Sequence, residues 1–143
     1  MNPRTSPPAA ALKVGMPIPP LERALTQMRL VAYAAATWDW HRLHYDPQYA
    51  AARNIAGPIV DGQMFGALLA ESLIDWLGPR AFIRRMSFRL RAMVFAGETV
   101  RCEGEIASIV AEAGYDVVRV TQRVKAGERI AVEPASAEIV MPP

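Results

Sequence analysis

Residues 61–78, DGQMFGALLAESLIDWLG, constrain the fold more than any other stretch. Asp61 is a good N-cap, and Gly78 followed by Pro79 is a good helix stop. Met64, Phe65, Leu68, Leu69, Leu73, Ile74, Trp76 and Leu77 cover most of the helix circumference. Glu71 and Asp75 leave only a narrow polar stripe. A helix that is apolar nearly all round must be buried, so other elements have to wrap it.

The wrapping material follows directly. In RMSFRLRAMV, Met86, Phe88, Leu90, Ala92 and Val94 alternate with Arg85, Ser87, Arg89 and Arg91, the period of a half-buried strand. TVRCEGEI alternates again, and strands run through YDVVRVTQRV and RIAVEPASAEIVM. The stretches AEAG (111–114) and KAGER (125–129) read as hairpin turns. Pro134 places the last strand at an edge or on a bulge. Upstream, PPLERALTQ reads as a short strand, MRLVAYAAATW as a helix starting near Thr26 or Gln27, and PQYAAARN as one or two helical turns. Helices followed by strands on short turns predict an α+β domain. We expect about five antiparallel strands curved around the helix from Asp61, over residues 20–143, after a loosely ordered arm at 1–19. A sheet of that kind has open edges, and dimerisation is the simplest way to pair them.

Composition narrows the function classes. With 52% hydrophobic and 21% charged residues in 143, the chain is globular rather than disordered. The longest uncharged apolar run, LVAYAAATW, is about half of the roughly 20 residues a membrane helix needs. The N-terminus has no apolar signal-type region, and Cys102 is the sole cysteine, which points to a reducing, cytoplasmic location. A net charge of +2 gives no case for nucleic acid.

Residues 37–46, TWDWHRLHYD, hold both histidines of the chain. Asp39 and His44 lie in one irregular loop, so their side chains can converge on one water or simply clasp the loop. His41 and His44, with Asp39 and Asp46, supply metal-type donors. No second cysteine and no H-E-x-x-H pattern accompany them, so no metal is expected. Trp38 and Trp40 read first as core or dimer-contact aromatics and second as a wall of a substrate channel. Asp61 reads first as a helix cap.

Three stretches, in order, resemble the MaoC-like (R)-specific enoyl-CoA hydratases, a hotdog-fold family. DWHRLHYD is similar to the family's D-x-N-P-x-H-x-D signature, with Asp39, His44 and Asp46 on its Asp, His and trailing acid. GPIVDGQMFGALL resembles the stretch around I-x-H-G-M, with Gly62 on the glycine. FRLRAMVFAGETVRCEGEI resembles the strand pair of the F-x-x-P-V-x-x-G-D-T-L type. Three positions depart from the pattern: His41 and Arg42 replace Asn-Pro, Asp61 replaces His, and Ala70 stands where many members carry serine. The Trp/Tyr-rich loop looks closer to the two-chain hydratases of steroid-type acyl-CoA degradation.

The resemblance implies hydration of an α,β-unsaturated acyl-CoA, and the reverse dehydration. Asp39 and His44 would activate water, and the Gly62 amide would polarise the thioester. Trp40, His41, Asp61 and Phe65 would contact substrate, and Arg84 and Arg89 are candidates for the coenzyme A phosphates. No cofactor beyond the coenzyme A of the substrate is implied. Two alternatives stand beside this reading: a degenerate partner subunit of a heteromeric hydratase, and an acyl-CoA thioesterase.

Overall fold

The computed structural model describes residues 7–112 and 114–141. In chain order the elements are β1 (Pro17–Ala24), α1 (Gln27–Thr37), α2 (Pro47–Ala51), α3 (Gly62–Leu77), β2 (Phe82–Leu90), β3 (Thr99–Glu112), β4 (Tyr115–Ala126) and β5 (Arg129–Met141). Short 3₁₀ turns occupy Ala9–Ala11 and Arg42–His44. The five strands form one sheet in the order β1-β3-β4-β5-β2, and every neighbouring pair is antiparallel. This is the α+β hotdog architecture, with α3 lying across the inner face.

Alternation dictates which side chains face α3. Val118, Val120 and Val124 of β4 and Val132, Ala137 and Ile139 of β5 are buried, while Arg119, Thr121 and Arg123 point outward. Around Met64, Phe65, Leu68 and Leu69 gathers one core cluster, together with Leu30 of α1 and Val94. A second cluster surrounds Leu73 and Leu77. Its members include Leu12, which is buried, and β1 begins at Pro17, so part of the stretch 1–19 expected as an arm packs on the domain. Residues 1–6 lie outside the described residues. The outer face is the solvated one: Arg119 and Arg84 share Glu138, and Arg123 and Arg101 share Glu103.

Three details refine the sequence reading. β5 is an inner strand, and Pro134 sits where its register slips against both neighbours, so the bulge is realised and the edge is not. β2 stops at Leu90, which leaves Leu90 half exposed at 51%, while Met86 and Phe88 are partly buried against the core. Along α3 the residues Gln63, Ala67, Ile74 and Asp75 reach solvent, so one stripe of the helix stays uncovered in the single chain. No helix among the described residues is long and apolar enough to cross a membrane.

Candidate active site

Three segments build the site, and backbone hydrogen bonds tie them together. The loop after α1 carries Asp39 and His44, and its Leu43 carbonyl accepts the Ile59 N–H at 2.9 Å. The lead-in to α3 is pinned on its other side, where the Val60 N–H donates to the Val94 carbonyl at 2.8 Å and the Ala96 N–H to Pro58 at 2.9 Å. The loop thus meets the first turn of α3 through a segment that also fixes the stretch after β2.

Local chemistry shapes the loop. Trp38 ends α1 in the left-handed region, at φ 60°. Asp39 then turns back, its carboxylate accepting the His41 N–H at 3.2 Å. Asp46 caps α2, accepting from Gln48 and Tyr49, with Pro47 at the first helical position. The Tyr49 N–H, followed by the Arg42 guanidinium, holds the Asp46 carboxyl below the usual carboxylate range. The trailing acid of the motif is therefore used for folding the loop.

His44 is half-buried, and its Nδ1 lies 2.8 Å from the Ile59 carbonyl oxygen. A carbonyl oxygen only accepts, so Nδ1 carries the hydrogen, and Nε2 is the ring nitrogen without a partner among the described residues. One carboxylate oxygen of Asp39, one ring nitrogen of His44 and one carboxylate oxygen of Asp61 lie within 4.8 Å of one another. No other such group of three metal-type donors occurs among the described residues. Asp61 is only 8% exposed. Its Oδ1 accepts the Gln63 N–H at 2.8 Å and its carbonyl accepts from Met64. Gln63 and Met64 of the first turn thus find acceptors on Asp61, and the Gly62 N–H is left without one among the described residues. Behind the cluster, Leu30, Tyr33, Ala34 and Met64 pack too closely to admit water. Burial there, and secondly the Asp61 carboxylate, push the Tyr33 hydroxyl up.

In front of the cluster opens a cleft of about 280 Å³, lined by His44, Ile59, Val60, Gly62, Phe65 and the run Leu90–Val94. Its walls are mostly aliphatic; His44 and Gly62 line it, whereas Asp61 does not and Asp39 is exposed. Gly62 faces it closely, since a Cβ there would stand 2.6 Å from Leu90 Cδ1. One turn on, a Cβ on Gly66 would stand 2.7 Å from Phe88 Cε1. The pair lets β2 lie against the helix start, and the i,i+4 spacing in GQMFG was the signal for Gly66.

Of the residues expected to contact substrate, Asp61 and Phe65 are at the site. Trp40 and His41 sit on its rim: Trp40 packs edge-on to Trp38 and Tyr45, and the exposed His41 ring accepts the Leu43 N–H through Nδ1. Neither lines the cleft. Arg84 is not brought to it either. It pairs with Glu138 and Glu112, six residues along β2 from Leu90, about 20 Å away at strand rise. Arg89 points outward, next to the cleft-lining Leu90. Arg91 lines the mouth, its Nε donating to the Glu133 carbonyl and its terminal nitrogens left over. Sequence pattern had grouped Arg91 with the outward arginines and did not single it out.

A family model described as a MaoC-like domain matches residues 10–129. The chain belongs to the MaoC-like domain family. Among curated relatives, the 3-oxo-4,17-pregnadiene-20-carboxyl-CoA hydratase beta subunit of Mycobacterium tuberculosis is 28% identical over 117 residues, covering 82% of this chain and 89% of that protein. An (R)-specific enoyl-CoA hydratase of Aeromonas caviae is 31% identical over 104 residues, 71% of this chain and 75% of its own. A crystal structure of the ChsH1-ChsH2 complex from Mycobacterium tuberculosis superposes with a TM-score of 0.81 at 26% identity, covering 90% of this chain and 98% of that one.

Proposed function

We propose that this MaoC-like domain is a hydro-lyase that adds water across the double bond of α,β-unsaturated acyl-CoA thioesters and catalyses the reverse dehydration. The observation that carries the reading is the convergence of Asp39 and His44 with Asp61 at the amino end of α3, where His44 and the free Gly62 amide line an apolar cleft. His44 Nε2, with its tautomer set by Ile59, accepts a proton from water, and the Asp39 carboxylate orients that water. The Gly62 N–H, backed by the helix dipole, receives the charge that builds on the thioester oxygen. The acyl chain lies along Phe65, Val60 and Val94, and Arg91 at the mouth offers a contact for a coenzyme A phosphate. Proton transfers suffice, so no resident cofactor or metal takes part. We place the reaction in the cytoplasm.

An assembly of two hotdog chains fits the exposed surface. The edge strand β2 carries the exposed Phe82, and α1 presents Met28, Val31 and Trp38 on one outward stripe. A homodimer covers such surfaces with a second copy. The relatives that are a hydratase beta subunit and part of a two-protein complex favour a second reading, in which the partner is a different chain of the same fold.

The deciding experiment is an assay of the purified chain with crotonyl-CoA and a bulkier enoyl-CoA, following loss of the enoyl thioester absorbance. Hydration by the wild type, with Asp39→Asn and His44→Asn each at least about 100-fold slower while folded, is the expected result. Wild-type rates in both variants would falsify the site. Free thiol release instead of hydration identifies a thioesterase, and activity only after adding a partner chain identifies the heteromeric reading.

A further inference from the structure

Asp61 is chemically odd where it stands. It is a nearly buried carboxylate beside the amide proposed to stabilise negative charge, and a cap alone needs only one of its oxygens. The geometry of the cluster gives it a use. Three atoms that all lie within 4.8 Å of one another are no more than about 2.8 Å from a common point, so one water beside that point can reach all three at hydrogen-bond length. The side of the cluster toward Tyr33 and Met64 is packed shut, and of the three residues His44 alone also lines the cleft, so such a water is reached from the cleft past His44.

Two carboxylates and the lone pair of an imidazole are three acceptors, whereas one water has two hydrogens. The water can satisfy all three only if one of them carries a proton and donates it back. We propose that Asp61 is a third catalytic group on the reacting water, and that the Asp39–His44–Asp61 cluster holds one proton of its own, the proton that reaches the α-carbon. This rests on the hydratase reading of the same site. The step balances without an outside acid. One water O–H bond breaks and its proton passes to an unprotonated member of the cluster. The water oxygen bonds to the β-carbon, and the stored proton forms the new C–H bond at the α-carbon. The cluster begins and ends with one proton. Position supports the division of labour: Asp61 directly precedes Gly62, whose amide faces the thioester, and the α-carbon is bonded to the thioester carbon. A stored proton also offsets the charge that a bare Asp61 carboxylate would place beside a developing enolate.

Asp61→Asn tests this against simple capping, because an asparagine oxygen still accepts the Gln63 N–H but the amide has no proton to exchange. The expected result is a kcat lowered about 100-fold or more, with KM and Tm close to wild type. Exchange of the α-hydrogen of the 3-hydroxyacyl-CoA product in D₂O should fall in parallel. Asp61→Ala should add a loss of Tm. Wild-type kcat in Asp61→Asn together with a lower Tm in Asp61→Ala makes the residue a cap only and overturns the proposal. A second readout does not need turnover. The His44 ring ¹⁵N resonances, assigned with His41→Asn, should shift in Asp61→Asn, and unchanged resonances overturn the shared proton even if no enoyl thioester is hydrated. Absence of hydration with shifted resonances removes the hydratase reading and leaves the cluster. A divalent ion bound stoichiometrically to the cluster and required for activity also overturns it.

Discussion

Replacing Gly62 by alanine separates two physical reasons for a glycine at the start of α3. An alanine Cβ would lie 2.6 Å from Leu90 Cδ1, with Leu90 Cγ and Cδ2 at an ordinary 3.7 Å. Carbon atoms in contact sit about 3.5–4.0 Å apart, so one methyl has to retreat by about 1 Å. Leu90 is 51% exposed and is the last paired residue of β2, so its side chain can rotate at a cost of about 0.5–1.5 kcal/mol. Alanine regains up to about 1 kcal/mol of helix propensity. The two effects nearly cancel, and Tm should stay within about 4 °C of wild type. Activity behaves differently. The new methyl and the displaced Leu90 stand over the Gly62 N–H, where the thioester oxygen must come, and loss of one such donor lowers kcat by about 100-fold or more. The double variant Gly62→Ala, Leu90→Ala then decides the reason. Removing the leucine gives the methyl room but does not reopen the amide, so enoyl-CoA hydration should stay at least tenfold below Leu90→Ala alone, roughly 1.4 kcal/mol of transition-state stabilisation. A double variant as fast as Leu90→Ala refutes the reasoning, because the glycine would then serve only the packing of β2.

Other outcomes follow from the same contacts. Gly104→Ala puts a Cβ 2.1 Å from the Thr121 carbonyl oxygen and 3.0 Å from Gln122 Cα, both backbone, so the β3–β4 pair must open; a loss of about 3 kcal/mol or more is expected in urea unfolding, and wild-type stability contradicts it. Burial pushes the Cys102 thiol up to about 12, so iodoacetamide should label the protein at pH 8 only after unfolding. Because the folded thiol ionises later than an ordinary thiol at 9.0, its contribution to stability is intact below that pH and is lost as pH rises toward about 12; Cys102→Ala should remove this alkaline decline. Asp46 has a depressed pKa in the folded chain, so its support for α2 is present above the ordinary carboxylate range and is lost as pH falls through its folded value; Asp46→Asn should flatten the acid limb of the unfolding midpoint.

What the sequence could disclose follows from where the information is local. The helix of α3 is bracketed by Asp61 and Gly78 and patterned at every turn, so its limits and its burial are readable from adjacent residues. The β4–β5 hairpin is announced by its alternation and by Gly127 at φ 57°. The candidate acid–base pair is visible as a collection of residue types. Its geometry is not, because the loop and the helix start are joined by main-chain hydrogen bonds from Ile59 to Leu43 and from Val60 to Val94, which any side chains could accompany. The arginines show the same limit from the other direction. Alternation assigns Arg85, Arg89 and Arg91 to one side of a strand, but β2 ends at Leu90, so Arg91 leaves the pattern and enters the cleft mouth; Arg84, of the other parity, reaches the solvated face and Glu138 where the register slips between Ile83 and Arg85. A scaffold whose site segments are tied by backbone alone leaves its site side chains free to change. Asp61 occupies such a position: the first turn of α3 needs an oxygen to cap Gln63, which several residues supply, and a carboxylate beside Asp39 and His44 is what sets its chemistry apart. Departures from a family pattern at positions like this one alter the proton inventory of the site without disturbing the sheet and helix that hold it.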